Sequence, residues 1–150
     1  MAIVAGSIGI HAKFVQQGQA KKTQTVQCKG LHHIDILNLN LTLTPQLVEL
    51  LNASISINST TFEDVDSESG AMKFIGSKTE TALLKFAKDL GWANYKNIHD
   101  AANVVLMIPF SSECNSMGCV VRLPDGDHLF MKGASEILTW KTHYVINPDH

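Results

Sequence analysis

Three short apolar runs near the C-terminal end constrain this chain more than any other feature. The first, Val104 to Ile108, ends in Pro109-Phe110. The second, Met117 to Leu123, stops at Pro124-Asp-Gly-Asp127, and the third, His128 to Met131, ends at Lys132-Gly133. Short apolar runs bounded by such residues read as strands, and Pro124-Asp-Gly-Asp127 reads as a hairpin turn. An aromatic ring, Phe110, then stands at the end of the first strand and a lone ammonium group, Lys132, at the end of the third. A ring and a cation at strand ends can together form a site for a base that carries phosphates.

The rest of the chain supplies what packs on such a sheet. Ala2 to Ile10 is apolar with two glycines and His11 to Val15 alternates, which predicts an entering strand bent at Gly6 or Gly9. Gln16 to Gly30 is polar and reads as a loop. Leu31 to Leu43 spaces its apolar residues mostly by two, which suggests an extended edge segment. Thr44-Pro45 opens a helix to about Asn58, with Leu47, Val48, Leu50, Leu51, Ile55 and Asn58 on its buried side. Ser59 to Gly70 reads as a loop and Met72 to Ile75 as a short strand. Ser77-Lys-Thr-Glu80 fits a capping box, and Ala82, Leu83, Phe86, Ala87 and Leu90 follow at helical spacing until Gly91. Trp92 to Ala102 reads as a connection. After the three strands, Ser135 caps a last helix running to about Thr142. Helices interspersed with strands that pair as hairpins favour the α+β class, an antiparallel sheet flanked by helices.

A length of 150 residues suits one domain, able to bury roughly 68–70% of its unfolded surface. Charged residues make up 17% of the chain, below the usual ~25%, which points to surface covered by something outside this chain. The formal net charge of −2 implies no basic face, so nucleic acid is not an expected partner. Three cysteines, none in Cys-x-x-Cys spacing, argue against a disulfide framework or a zinc site. The seven histidines show no metal-ligand spacing, and no protein-bound metal is expected. No apolar run approaches the ~20 residues of a membrane span, and Met1 to Gly6 does not resemble a signal peptide.

Taken singly, the candidate site residues have ordinary readings. Lys132-Gly133 is a common turn pair, Phe110 suits a core, Glu80 is explained by the capping box, and the apolar residues from Met117 onward suit a core. Walker, dinucleotide-binding and nucleophile-elbow motifs are absent, and a thiol nucleophile at Cys114 has no supporting pattern.

In combination they carry more. Gly76-Ser-Lys-Thr-Glu80-Thr-Ala-Leu-Leu, then Pro109-Phe110-Ser-Ser-Glu-Cys-Asn-Ser-Met117, then Lys132-Gly-Ala-Ser-Glu136 occur in that order. The set resembles the nucleotide-binding domain of P-type calcium-transporting ATPases, the plasma-membrane, calmodulin-type branch and its fungal vacuolar members most of all. Leu47 to Thr60 resembles the helix before the first signature, and Met1 to Val15 the strand leaving the phosphorylation domain. The resemblance implies that residues 1–150 are a partial nucleotide-binding domain, incomplete at its C-terminal end, on the cytoplasmic face of a vacuolar or plasma-membrane pump. It implies that ATP, brought with Mg2+, contacts Glu80, Phe110, Lys132, Gly133 and Ala134. Phe110 would stack on adenine, Glu80 would take its amino group, and Lys132 would lie at the pocket floor. The partners implied are ATP and the phosphorylation and actuator domains of the same pump, with no membrane insertion by this segment.

The chain departs from the family pattern in three places. Cys114 and Asn115 stand where the family has Arg-Lys, which leaves Ser112, Cys114, Asn115 and Met117 as a phosphate side short of cations. Each charge-assisted contact is worth roughly 1.5–3 kcal/mol, so losing one weakens binding about tenfold or more. The phosphorylated Asp-Lys-Thr-Gly-Thr is absent, so no catalytic residue is assigned and ATP turnover by the chain alone is not expected. The family's final helices and strand are absent as well, which predicts an unpaired sheet edge and uncovered apolar surface. The alternative reading is a nucleotide-incompetent remnant, or a regulatory or interaction domain, derived from such a pump.

Overall fold

The computed structural model describes residues 2–9, 12–16, 32–65, 70 and 72–145. The reading for Gln16 to Gly30 falls almost wholly outside those residues. The described chain is α+β: three small sheets with helices between and against them.

The predicted entering strand is a hairpin. β1 (Ala5–Ile8) pairs antiparallel with β2 (Ala12–Val15), and the chain reverses after Gly9, whose φ is 62°. β3 (His32–Asp35) adds to β2 in parallel, which makes this sheet mixed. The extended reading of Leu31 to Leu43 holds only for β3. A 3-10 turn at Ile36–Asn38 and the one-turn helix α1 (Leu39–Thr42) follow it. Leu39, Leu43 and Leu47 are four apart, and together with Phe14 they form a buried cluster. Leu39 lies in α1, Leu47 lies in the first turn of α2, and the extended link at Leu43 and Thr44 brings all three leucines onto Phe14.

α2 (Pro45–Ile57) is the helix that Thr44-Pro45 predicted, with the Thr44 hydroxyl accepting from the Leu47 amide at 3.4 Å. It bridges two cores. Leu47, Val48 and Leu51 meet the Phe14 cluster, while Ala53 and Ile57 meet a second cluster of Cys119, Val121 and Phe130. Leu50, assigned to its buried side, is exposed, and Asn52 and Ser56 are buried instead. Asn52 donates to the Ala93 carbonyl at 3.1 Å and Ser56 donates to Asn52 at 3.4 Å, which satisfies polar groups that periodicity alone places in water.

The loop expected from Ser59 contains a strand, β4 (Phe62–Val65), paired antiparallel with β5 (Met72–Ile75). α3 (Lys78–Asp89) starts at Ser77 as predicted. The connection expected from Trp92 to Ala102 contains α4 (Tyr95–Ala101), capped by Asn94, whose side chain accepts from the Lys96 amide at 2.9 Å. α5 (Ser135–Trp140) begins one residue earlier than predicted: Ala134 holds the cap position and Ser135 is the first helical residue.

The three apolar runs form an antiparallel sheet, β6 (Val104–Ser111), β7 (Ser116–Leu123) and β8 (Gly126–Gly133), in that order. Cross-strand partners share a face. The row Met107, Cys119, Phe130 points into the second core. The opposite row, Leu106, Val120, Leu129, faces outward, with Leu106 54% and Leu129 53% exposed. Both β6 and β8 are edges among the described residues. An apolar sheet face of this kind favours association. The chain should therefore self-associate or bind a hydrophobic dye, and the double change Leu106→Glu, Leu129→Glu should reduce both without lowering helix content. Sedimentation velocity and dye titration check this.

Candidate functional site

A cleft of about 880 Å³ opens between the start of α3 and one end of the β6–β8 sheet. Thr60, Ser77, Thr79, Glu80 and Leu83 form one side, and Met107, Pro109, Phe110, Asn115 and Met117 form the other. Lys132, Gly133 and Ala134 complete its lining at the end of β8.

Local backbone features place the apolar wall. The β6–β7 register breaks between Ile108 and Ser111. Regular pleating sends consecutive side chains to opposite faces, and a break of this type lets two neighbours share a side. Pro109 and Phe110 both line the cleft as a result. Proline has no amide to lose there. The Phe110 ring is 63% exposed, so it belongs to the cleft surface and not to either core.

The polar floor centres on Glu80, which is 2% exposed. Its Oε1 accepts from Lys132 Nζ at 2.6 Å and from the Thr60 amide at 3.3 Å. Its Oε2 accepts from the Thr60 hydroxyl at 3.0 Å and from the Thr61 hydroxyl at 2.9 Å. Lys132 Nζ also donates to the Asn58 carbonyl. Only half of the predicted capping box is present: Ser77 accepts from the Glu80 amide at 3.4 Å, while the Glu80 carboxylate turns to Lys132 and the threonines. Coulomb attraction to the half-buried Lys132 ammonium outweighs one exposed amide bond.

Burial opposes charge on Glu80. The hydrogen bonds from Lys132 and Thr61, the Lys132 charge and the Thr60 amide outweigh it and hold the carboxyl below its ordinary value of 4.5. Cys119, in the second core, has its thiol pushed up by burial, against a smaller opposing effect of the Lys132 charge. It is therefore poorly suited to act as a nucleophile.

Two glycines of the sequence signatures have steric reasons. A Cβ on Gly133 would lie 2.5 Å from the Asn115 carbonyl oxygen and 2.8 Å from Ser116 Cα. Glycine at this position lets the turn of Asn115 and Ser116 pack against the end of β8. At Gly76 a Cβ would collide with the Thr61 hydroxyl, which is needed at Glu80.

Of the residues singled out in the sequence, Glu80, Phe110, Asn115, Met117, Lys132, Gly133 and Ala134 come together in the cleft. Ser112 and Cys114 sit in the exposed turn of residues 112–115 and do not line it. Asn115 takes a left-handed conformation, φ 45°, which asparagine tolerates better than most residues. Sequence reasoning missed Thr60 and Thr61, because Ser, Thr and Asp after a helix read as a loop. Among the described residues no group of three or more His, Cys, Asp or Glu side chains could hold a metal, and no helix is long and apolar enough to cross a membrane.

This arrangement occurs in a chain whose residues 46–149 match the family model for the P-type ATPase, cytoplasmic domain N. The chain belongs to that family. Among its relatives is calcium-transporting ATPase 2 of Cryptococcus neoformans, 44% identical over 158 residues, covering 99% of this chain and 11% of the relative. Calcium-transporting ATPase PAT1 of Dictyostelium discoideum is 43% identical over 89 residues, 59% of this chain and 8% of the relative. Human plasma membrane calcium-transporting ATPase 3 is 38% identical over 112 residues, 70% of this chain and 9% of the relative. The chain thus spans about a tenth of the length of these relatives.

Two outcomes follow from the floor. Glu80→Ala leaves the Lys132 ammonium without its carboxylate and should destabilise the fold by about 3 kcal/mol in urea unfolding, the lower end for a broken buried pair because Lys132 is partly exposed. The Glu80 pKa is depressed on folding, so its contribution is present above the unfolded value of 4.5 and lost as pH falls through the lower folded value. Stability measured against pH should drop in that window, and the drop should shrink in Glu80→Gln.

Proposed function

We propose that the cleft binds ATP and that the chain is the nucleotide-binding part of a calcium-transporting P-type pump, presenting ATP to an aspartate elsewhere in the parent protein. The observation that carries the reading is the pairing of an exposed aromatic ring, Phe110, with the Lys132 ammonium on one cleft assembled from three separate signatures. The cleft volume lies in the range of sites for molecules of this size. Phe110 stacks on adenine, and Lys132, Gly133 and Ala134 line the site beside the base or the phosphates. Mg2+ arrives on the phosphates, with no protein ligand assigned to it. Catalysis in the parent pump is positioning: the chain holds ATP while a neighbouring domain supplies the nucleophile, and the metal neutralises charge on the transferred group. The relatives are named as calcium transporters, and calcium is the cargo proposed for the parent.

The phosphorylation and actuator domains are the proposed partners, on the cytoplasmic side of the parent membrane. Leu106 and Leu129 mark apolar surface for further chain of that parent to cover.

A second reading has its own observation. Cys114 and Asn115 are neutral where the family pattern has two cations, and Cys114 lies outside the cleft. A chain that kept the shape and lost the affinity would serve as a regulatory or interaction domain.

Titrating Mg-ATP into the 15N-labelled chain separates the two. Binding should shift amides near Phe110 and Lys132. Phe110→Ala should weaken binding by roughly 1–3 kcal/mol, the scale of one base stacked on a ring. Lys132→Ala should abolish the shifts. No shifts at millimolar ATP would favour the second reading. The chain alone should release no phosphate from ATP; measured turnover would contradict the positioning role.

A further inference from the structure

A second pocket, of about 170 Å³, lies further along α3 and shares no lining residue with the cleft. Three aromatic rings line it: Phe74 of β5, Trp92 just after α3 and Tyr95 of α4. Two charged side chains join them, Glu63 of β4 and Lys88 of α3. The volume is well below the ~300–1,000 Å³ of sites for drug-sized ligands, so it suits one small head group.

The protein itself holds the rings in place. Glu63 and Phe74 are cross-strand partners in the β4–β5 pair, so both point to one face. The Tyr95 hydroxyl accepts from the Glu63 amide at 2.9 Å, and the Tyr95 ring meets Phe74 edge-on with centroids 5.4 Å apart. The Trp92 indole donates to Asn40 Oδ1 at 2.7 Å, and Asn40 donates in turn to the Leu90 carbonyl at 2.8 Å. Walls fixed in advance cut the ordering cost of binding.

The pocket already attracts a cation. Lys88 Nζ stands 5.6 Å from the Phe74 ring centroid, inside the ~6 Å reach of a cation–π contact. It stands 3.8 Å from the Glu63 carboxylate, beyond the ~2.7–2.9 Å of a charge-assisted hydrogen bond. The Lys88 side chain is 60% exposed, whereas that of Glu63 is 16% exposed. Among the described residues no hydrogen bond reaches the Glu63 carboxylate. A mostly buried carboxylate without a donor is under-satisfied. We propose that this pocket is a binding site for an alkylammonium group, for which the Lys88 ammonium is a removable placeholder. Three rings offer their electron-rich faces to such a cation, and Glu63 supplies the countercharge. An ion pair as open as Lys88–Glu63 holds weakly, so displacing Lys88 costs little. None of this depends on the ATP reading of the cleft.

The test uses n-butylammonium, which reproduces the end of a lysine side chain, titrated into the 15N-labelled chain at constant ionic strength. The Trp92 indole cross-peak and the amides of Glu63, Phe74 and Tyr95 should shift along saturable curves, while amides beside Phe110 and Lys132 stay in place. n-Butanol, similar in shape without the charge, should bind about tenfold more weakly or worse, and Glu63→Gln should weaken the amine by about the same factor. Lys88→Ala removes the placeholder and should tighten amine binding about two- to fivefold. Lys88 is largely exposed, so that variant reads the site even where Glu63→Gln unfolds; the amide spectrum checks both. N-acetyl-lysine-N-methylamide distinguishes the sources: binding comparable to the amine assigns a lysine side chain, and its loss assigns a free amine. The proposal is overturned by an absence of saturable shifts in Lys88→Ala, by equal binding of n-butanol, or by amine binding that a folded Glu63→Gln leaves unchanged.

Discussion

The Lys132–Glu80 ion pair is the contact on which the site depends. It joins the end of β8 to the first turn of α3, and through Asn58, Thr60 and Thr61 it includes the chain leaving α2. Three stretches far apart in sequence therefore meet at one buried carboxylate. A buried pair is weak evidence for net stability, because desolvation offsets most of the attraction. The charges are satisfied only when β8, α3 and the segment after α2 come together. The depressed Glu80 pKa records the same balance, with donors outweighing burial.

The packing around the pair explains several residues that otherwise look decorative. Gly76 leaves room for the Thr61 hydroxyl, and Gly133 leaves room for the Asn115–Ser116 backbone. α2 carries the load between the two clusters, with its early leucines in one and Ile57 in the other. The site lies where that helix ends and the sheet begins, next to the second core. The break in register near Pro109 then turns an ordinary edge strand into an aromatic wall. Phe110 is exposed because the cleft, and not a core, is on that side.

Most of the architecture was legible in the sequence where a local signal had a single physical meaning. Thr44-Pro45, Ser77 and Pro124-Asp-Gly-Asp127 gave two helix starts and a hairpin close to where they occur. Reading failed where tertiary contacts outweighed local pattern. Leu39 looks extended by spacing but lies in a one-turn helix, packed with Phe14, Leu43 and Leu47. Phe62–Val65 looks like loop, because a short edge strand needs its partner Met72–Ile75 to be recognised. Asn52 and Ser56 look solvent-facing, because their partners, the Ala93 carbonyl and each other, are not local signals.

By itself the sequence determined the α+β class, the three-strand unit and seven of the residues that line the cleft, because turn chemistry, apolar spacing and three ordered signatures each carry local information. Only the tertiary structure decided what those residues do for one another. It turned the Glu80 carboxylate from its helix cap to Lys132, left Phe110 in the open, and moved Cys114 away from the cleft. The reason is range. A cap or a turn is closed within a few residues, whereas a charge chooses its partner by distance in space, and Lys132 is 52 residues from Glu80 along the chain.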